Sequence, residues 1–492
     1  MFFPPQTVDR IGLLLRSNAV TESQTNLGWD VLLDLSAHRG ALSDRLTAAI
    51  RAAIRDGRLP HHTALPPSRD LAAELGVSRW TVTKAYGQLV AECYLEARTG
   101  SATRVRWVPE PGEVARVTRK PQPVIKFDLR SAQPDLRAFP RQRWLAALGV
   151  AAQTASYAEL DRPEPGGTER LRTVLAAYLN RVRGAAAQPD LVNVCFGAGQ
   201  AMLRICSALR DDGHTAIAVE DPGPTRLWEA AVLAGLTLVP ISVDEHGLVV
   251  SALDEHPEVR AVCVGAAHQF PMGAVLAPHR RAALLEWARR VDGLIVEDDY
   301  DAEFRYDRPA TAAMQGMEPR RVALVGSVSK TLGPAVGIGW AVTPSRWTAT
   351  LRTDDQLLMM PTSLNQLALA AMLESGSYDR HLRAARLRFR ARRTVFVNAL
   401  ELIPHCTVSG TEAGLHVLLD LPVTCDAAAV RDAAVKRGLQ TCALDEFRIR
   451  PDPDGRQVLA LGYGNLADNA IGDAVRILAE TIAAVDSSGQ IG

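Results

Sequence analysis

The sequence predicts an α/β protein in two unequal parts, a small helical module ahead of a large domain built on a β-sheet. Three observations predict it. Residues 31–108 hold three short helical patterns followed by two alternating runs, and residues 109–126 are proline-punctuated with no hydrophobic period. From Phe127 onward, short β-rich runs alternate with helical stretches, the pattern of a sheet with helices on its faces. A chain of 492 residues can bury a sizeable core in two or more domains.

Composition narrows the function classes. Apolar residues at 47% and charged residues at 22% are those of an ordinary globular protein, which excludes a low-complexity or fibrous chain. The net charge is zero overall, yet residues 31–108 carry 11 Lys/Arg against 7 Asp/Glu, a mild basic bias permissive for DNA. The seven cysteines form no CxxC pair and no metal-ligand spacing, so they read as reduced, small hydrophobic residues, and no metal site is expected. Met1-Phe2-Phe3-Pro4-Pro5 lacks a basic leader region, and no apolar run is long enough to span a bilayer. A cytoplasmic protein is expected.

Residues 1–30 read as an arm on the first domain. In Ala41–Asp56 the residues Leu42, Leu46, Ala49, Ile50, Ala53 and Ile54 make a helical stripe that ends at Gly57. Leu65-Pro66-Pro67-Ser68 is a turn leading to Ser68 as an N-cap, with a short helix over Arg69–Leu75 broken by Gly76. Ser78 is a second N-cap, ahead of a helix over Arg79–Val90. Tyr94–Ala97 and Ala102–Trp107 alternate around Thr99-Gly100 as a hairpin. Three helices and a hairpin make a winged helix-turn-helix, a DNA-binding domain assigned to residues 31–108, with 109–126 as a linker.

Residues Ser68–Val108 resemble the GntR-type winged helix in the runs Pro67–Ala72, Gly76–Arg79, Thr81-Val82, Ala85-Tyr86, Gln88-Leu89 and Tyr94–Glu96. In such a module a short helix crosses the phosphate backbone and the next enters the major groove by its N-terminal end. Ser78, Arg79, Trp80, Thr81, Thr83 and Lys84 are then the groove and backbone contacts, and Arg69 and Arg104 meet phosphates. Trp80 stands where the family commonly has a small polar residue. It could pack on a sugar or a thymine methyl, or belong to the core.

In the large domain, residues 127–492, two β-rich runs deliver polar groups at their carboxyl ends, where open α/β sheets bind ligands. One is Gly293–Asp301, ending Glu297-Asp298-Asp299-Tyr300-Asp301; the other is Val322–Ser327, followed by Val328-Ser329-Lys330. A lysine amine condenses with an aldehyde, and a nearby carboxylate holds a protonated pyridine nitrogen. Pyridoxal 5′-phosphate needs that combination. A lone lysine after a strand is commonly a surface charge; the serines beside Lys330 and the acidic run upstream argue for function.

These stretches, with Phe139-Pro140, Arg183-Gly184, Gly197–Ala201, Glu220–Gly223 and His268–Pro271, resemble fold-type I aminotransferases across 127–480. The two parts together resemble the MocR subfamily of GntR regulators. The resemblance implies that Lys330 forms a Schiff base with pyridoxal 5′-phosphate, that Asp298 pairs with the pyridinium nitrogen and that Tyr300 bonds the phenolic oxygen. It places Ala198, Gly199 and Ser327 around the phosphate and His268 at the ring. It leaves Tyr157 as a phosphate contact across a dimer or a structural residue, and Arg226 and Arg448 as effector-carboxylate candidates, with Arg450 and Arg456 as further options.

Two positions depart from the family. Gly337 stands where an arginine would clamp the phosphate, a contact worth about 2–3 kcal/mol, and Pro224 replaces a ring-stacking tyrosine. The expected protein is a homodimeric transcriptional regulator that binds promoter DNA and senses this cofactor, or a small amine through it, rather than turning substrate over. The alternatives are an aminotransferase with a DNA-binding appendage and a regulator whose degenerate pocket takes a different ligand.

Overall fold

The computed structural model describes residues 28–29, 33–98, 101–106, 123–161, 164–306, 311–353, 360–452 and 454–489. The chain divides into two compact units, residues 1–120 and 121–492. Most of the expected arm and linker lies outside the described residues. At their edges, Trp29 joins the small unit, its N–H donating to Glu74 Oε1 at 2.7 Å, and Lys126 joins the large one, its N–H donating to Gly438 O at 2.7 Å.

The small unit holds α1 (Leu42–Arg55), α2 (Ser68–Glu74), α3 (Arg79–Ala91) and the two-stranded hairpin of β1 (Leu95–Glu96) and β2 (Arg104–Val105). Its core joins Leu46, Ile50 and Ile54 of α1 to Leu71, Val82, Leu89, Leu95 and Val105. The apolar stripe read from α1 is the face it buries, except at Leu42, which is exposed. Ser78 caps α3 by accepting the Thr81 N–H at 3.1 Å. Ser68 is not a cap: Pro67 holds that position and Ser68 is the first helical residue. The expected turn at Thr99-Gly100 and the residue Trp107 lie outside the described residues.

The large unit starts with β3 (Phe127–Asp128), α4 (Arg141–Thr154), α5 (Tyr157–Leu160) and α6 (Glu169–Arg183). There follow β4 (Val192–Cys195), α7 (Ala198–Asp211), β5 (Ala216–Asp221), α8 (Thr225–Leu233), β6 (Thr237–Asp244) and β7 (Gly247–Leu248). Next come β8 (Ala261–Val264), α9 (Pro278–Arg290), β9 (Leu294–Asp299), β10 (Val322–Ser327), β11 (Gly339–Val342) and α10 (Ser345–Thr353). Strands β4 to β11 form one eight-stranded sheet, ordered β4-β11-β10-β9-β8-β5-β6-β7. The pairs β10·β9, β9·β8, β8·β5 and β5·β6 are parallel, and β11 runs against both β10 and β4. Strands β4, β5, β8, β9 and β10 therefore all point one way, and their carboxyl ends line a single edge. Leu294, Val296, Ala323 and Val325 pack under α7 and α8 on one face, while Val262, Val264 and Ile295 pack under α9 on the other.

The C-terminal part adds α11 (Ser363–Glu374), α12 (Ser377–Leu400), β12 (Thr407–Ser409), β13 (His416–Asp420), α13 (Ala427–Lys436), β14 (Leu439–Gln440), β15 (Cys442–Ala443), β16 (Val458–Gly462) and α14 (Ile471–Gly489). Strands β12, β13, β16 and β15 make an antiparallel sheet, and β14 pairs with β3. Among the described residues no disulfide joins any of the seven cysteines, no cluster suits a metal and no helix is long and apolar enough to cross a membrane.

Candidate functional site

Four strand ends build the pocket. Strand β9 ends in Glu297-Asp298-Asp299, and its alternation sends neighbouring carboxylates to different partners. Asp299 turns to Arg183, whose Nε and Nη2 donate to its two oxygens at 2.7 and 3.0 Å in a buried fork. Glu297 accepts the Gln315 N–H at 3.2 Å. Asp298 is buried, and its Oδ1 finds no hydrogen-bond partner among the described residues. Burial, then the charges of Asp299 and Asp301, push its carboxyl up to about 7, with Lys330 acting in the opposite direction.

Lys330 sits in the turn after β10, next to the strand that carries Asp298. Burial pulls its ammonium below the ordinary lysine range, while Asp301 and Asp298 pull it back up. A lowered lysine has more of the neutral amine that adds to a carbonyl. Asp301, to which the sequence alone assigns no role, is therefore the leading anion at Lys330. It also holds His268, whose Nδ1 lies 3.0 Å from Asp301 Oδ2 and 2.9 Å from the Tyr300 hydroxyl. A carboxylate only accepts, so His268 Nδ1 donates to it and the ring orientation is set. Burial holds the Tyr300 phenol well above its ordinary range, so it stays protonated, and because His268 Nδ1 already carries a proton the Tyr300 hydroxyl does not donate to it.

Aromatic rings wall this cluster. Phe270 stands edge-on to Tyr300 at 6.0 Å, to His416 at 5.3 Å and to Phe447 at 4.9 Å between centroids. Phe447 comes from the C-terminal part, where its carbonyl accepts the Gly223 N–H at 2.8 Å. Asp221 continues the clasp, its two oxygens accepting the Ile449 and Arg450 N–H groups at 2.9 and 3.0 Å. The clasp thus ties the Gly223 backbone, next to Pro224, to the segment that carries Phe447.

At the other end, α7 begins directly after β4. Gly197 is its N-cap with no capping side chain, so the first N–H groups, those of Ala198 and Gly199 among them, are open to an anion. Gly339 of β11 packs so closely that a Cβ there would lie 2.5 Å from Gly197 Cα. Ser329 also borders the turn, its Oγ 4.0 Å from where a Gly197 Cβ would be, and Ser327 Oγ accepts the Ser329 N–H at 3.4 Å. Gly337 has a left-handed φ of 66°, and a Cβ on it would meet Phe196 Cδ1 at 3.3 Å. The backbone at that position is built for glycine, and a long cationic side chain there would be strained.

The carboxylate candidates divide by partner. Arg448 is ion-paired with Asp452 and Asp445, Arg450 with Asp221, and Arg456 with Asp420. Arg226, at the start of α8, is exposed and close enough to Lys330 to depress it. Tyr157 is 95% exposed.

In the small unit, α3 turns Arg79, Trp80, Thr83 and Lys84 outward, and Arg69 and Arg104 are exposed nearby. Thr81 departs from the expected groove set: it is 6% exposed and its hydroxyl bonds Ser78 Oγ at 2.8 Å. Thr83 Oγ1 donates to Arg79 O at 2.9 Å, and Arg104 Nη1 to His62 O at 2.9 Å.

Fold and site together define a helix-turn-helix protein carrying a fold-type I aminotransferase-like domain. Residues 42–105 match the family described as bacterial regulatory proteins, gntR family, and residues 128–462 match aminotransferase class I and II. The chain is 31% identical to the HTH-type pyridoxine biosynthesis transcriptional regulator PdxR of Corynebacterium glutamicum, over 85% of this chain and 91% of that protein. It is 30% identical to the probable rhizopine catabolism regulatory protein MocR of Rhizobium meliloti, over 93% and 96%. The crystal structure of a multiple substrate aminotransferase from Thermococcus profundus superposes with a TM-score of 0.67 at 23% identity, covering 75% of this chain and 93% of that one. The chain belongs to the MocR-type branch of the GntR regulators, in which a DNA-binding module is joined to an aminotransferase-like domain.

Proposed function

We propose that this regulator binds promoter DNA through α3 and controls that binding by taking pyridoxal 5′-phosphate, or an amine through it, into the large unit. The observation that carries the reading is the shared strand edge. Lys330 follows β10, Asp298 ends the adjacent β9 with Oδ1 unpartnered among the described residues, and the open start of α7 follows β4, two strands from β10 on the same edge. The residues fit the cofactor: Lys330 for its aldehyde, Asp298 for its ring nitrogen, Tyr300 and His268 for the ring edge, and the N–H groups of Ala198 and Gly199 with Ser327 for its phosphate. When bound, the cofactor supplies an electron-withdrawing ring joined to a carbonyl carbon that an amine can exchange onto.

The chain's own residues prepare the pocket. Burial keeps the Lys330 amine available, Asp301 orients His268, and the Asp221 clasp holds Phe447 against the aromatic wall. The glycine-only backbone at Gly337 leaves phosphate binding to neutral donors, which favours exchangeable sensing over tight retention. Arg226 is our candidate for an effector carboxylate, since Arg448, Arg450 and Arg456 already hold carboxylates of the chain. The exposed apolar side chains Leu145, Val150, Tyr157 and Leu160 support a self-association surface, and we read the protein as a cytoplasmic homodimer.

The test is an absorbance titration of the full chain with pyridoxal 5′-phosphate beside Lys330→Ala. A visible band that borohydride removes and the variant lacks is the expected result. No band at millimolar cofactor would overturn the reading, and sustained transamination of common amino acids would move it to an enzyme.

A further inference from the structure

The proposal rests on the reading of the small unit as a DNA-binding module and concerns what that module selects. Among its described residues only Leu42 and Trp80 are exposed large apolar side chains, and Trp80 is the more open at 68%. The core does not dictate this exposure. Thr81, Val82, Ala85, Tyr86 and Leu89 form the buried face of α3, and Trp80 lies on the opposite face with Thr83 and Lys84. Trp80 is the second residue of the helix, in the turn fixed by the Ser78 cap. That is the end a helix-turn-helix presents to base edges.

Two further features identify the occupant. Helix α3 carries no acidic side chain, and its outer face is cationic through Arg79 and Lys84, so a polyanion meets no repulsion along it. Lys84 Nζ lies 5.3 Å from the Trp80 ring centroid, which holds the indole along the helix and occupies one of its faces. An indole has a single N–H donor and a large apolar surface, so it is poorly made for phosphate. In the major groove the one apolar group that base edges present is the thymine C5-methyl. We propose that Trp80 is a specificity-determining residue that selects thymine by packing its indole on that methyl group. Contact with a sugar would use the same surface but would not depend on the base.

The experiment separates these. Duplexes are selected from a random-sequence pool by the full chain, and each thymine of the selected site is then replaced in turn by deoxyuridine, which removes only the methyl. One position in each half-site should weaken binding by about three- to fivefold, the effect of losing one buried methyl. That penalty should vanish in Trp80→Ala, whose binding should keep the wild-type salt dependence because the phosphate contacts remain. A parallel thermal melt establishes that the variant is folded. Absence of any methyl-sensitive position, or an unchanged penalty in Trp80→Ala, would overturn the proposal and leave DNA binding intact. Failure of the full chain to enrich any duplex would overturn both.

Discussion

Three side chains set the chemistry of the pocket at the scale of single residues. Among the described residues Asp298 has a buried oxygen without a partner, an arrangement that costs stability until a positively charged group meets it. Asp298→Asn should therefore weaken cofactor binding by about 10- to 100-fold, the usual worth of a hydrogen bond to a charged group, read from the same absorbance titration. Asp301 is the leading anion raising Lys330, so Asp301→Asn should leave the lysine lower still. The pH at which the absorbance band reaches half its height should then fall, and an unchanged or higher midpoint would contradict the assignment. Glu220 makes a separate prediction about stability. Burial pushes its carboxyl up to about 8, although Gly265 and Gln269 donate to it, against about 4.3 for an exposed glutamate. The native state thus holds a proton that the unfolded chain has released, and stability falls as pH rises across that window. Glu297 and Asp298, each pushed up to about 7, act in the same direction. The cofactor-free protein should melt lower at pH 9 than at pH 6, and Glu220→Gln should flatten that slope.

Elements explain which features were legible in the sequence. The stripe of α1 and the Ser78 cap could be read because both signals are local, a period and a side chain three residues from the N–H that donates to it. Ser68 misled because serine is equally at home as a first helical residue once Pro67 has set the entry angle. Asp301 escaped because five polar residues in a row at the end of β9 look equivalent until the fold assigns them sides. Arg183 claims Asp299, and the pocket receives Asp298 and Asp301. Phe447 was invisible for a different reason, since the clasp joins Asp221 to Ile449 across 228 positions. The geometry of α3 gives two stability predictions. Ser78→Ala removes its cap and should cost about 1 kcal/mol, seen as a lower unfolding midpoint of the small unit. Gly87 lies in the helix interior, is exposed, and a Cβ there meets nothing within 4 Å, so Gly87→Ala should stabilise by up to about 1 kcal/mol. A destabilised Gly87→Ala would mean that the space beside α3 is not free.

The whole molecule adds a requirement that neither unit carries alone. If pyridoxal 5′-phosphate controls DNA binding, the two ligands must be coupled through a free energy, and that coupling is the same from either side. Suppose saturating cofactor changes affinity for a selected duplex by some factor. The duplex must then change cofactor affinity by that same factor, whether the protein activates or represses. Couplings of this kind are typically about 1–3 kcal/mol, or roughly 5- to 150-fold, well within reach of two titrations. One measures duplex affinity by fluorescence anisotropy with and without saturating cofactor; the other follows the absorbance band with and without saturating duplex. Equal factors different from one are expected for the wild type. Lys330→Ala should bind the duplex as the cofactor-free wild type does and show no response to the cofactor, because its small unit is untouched. A factor of one in both titrations, with both ligands binding, would make the large unit a passive carrier of its cofactor and remove it from the regulatory circuit.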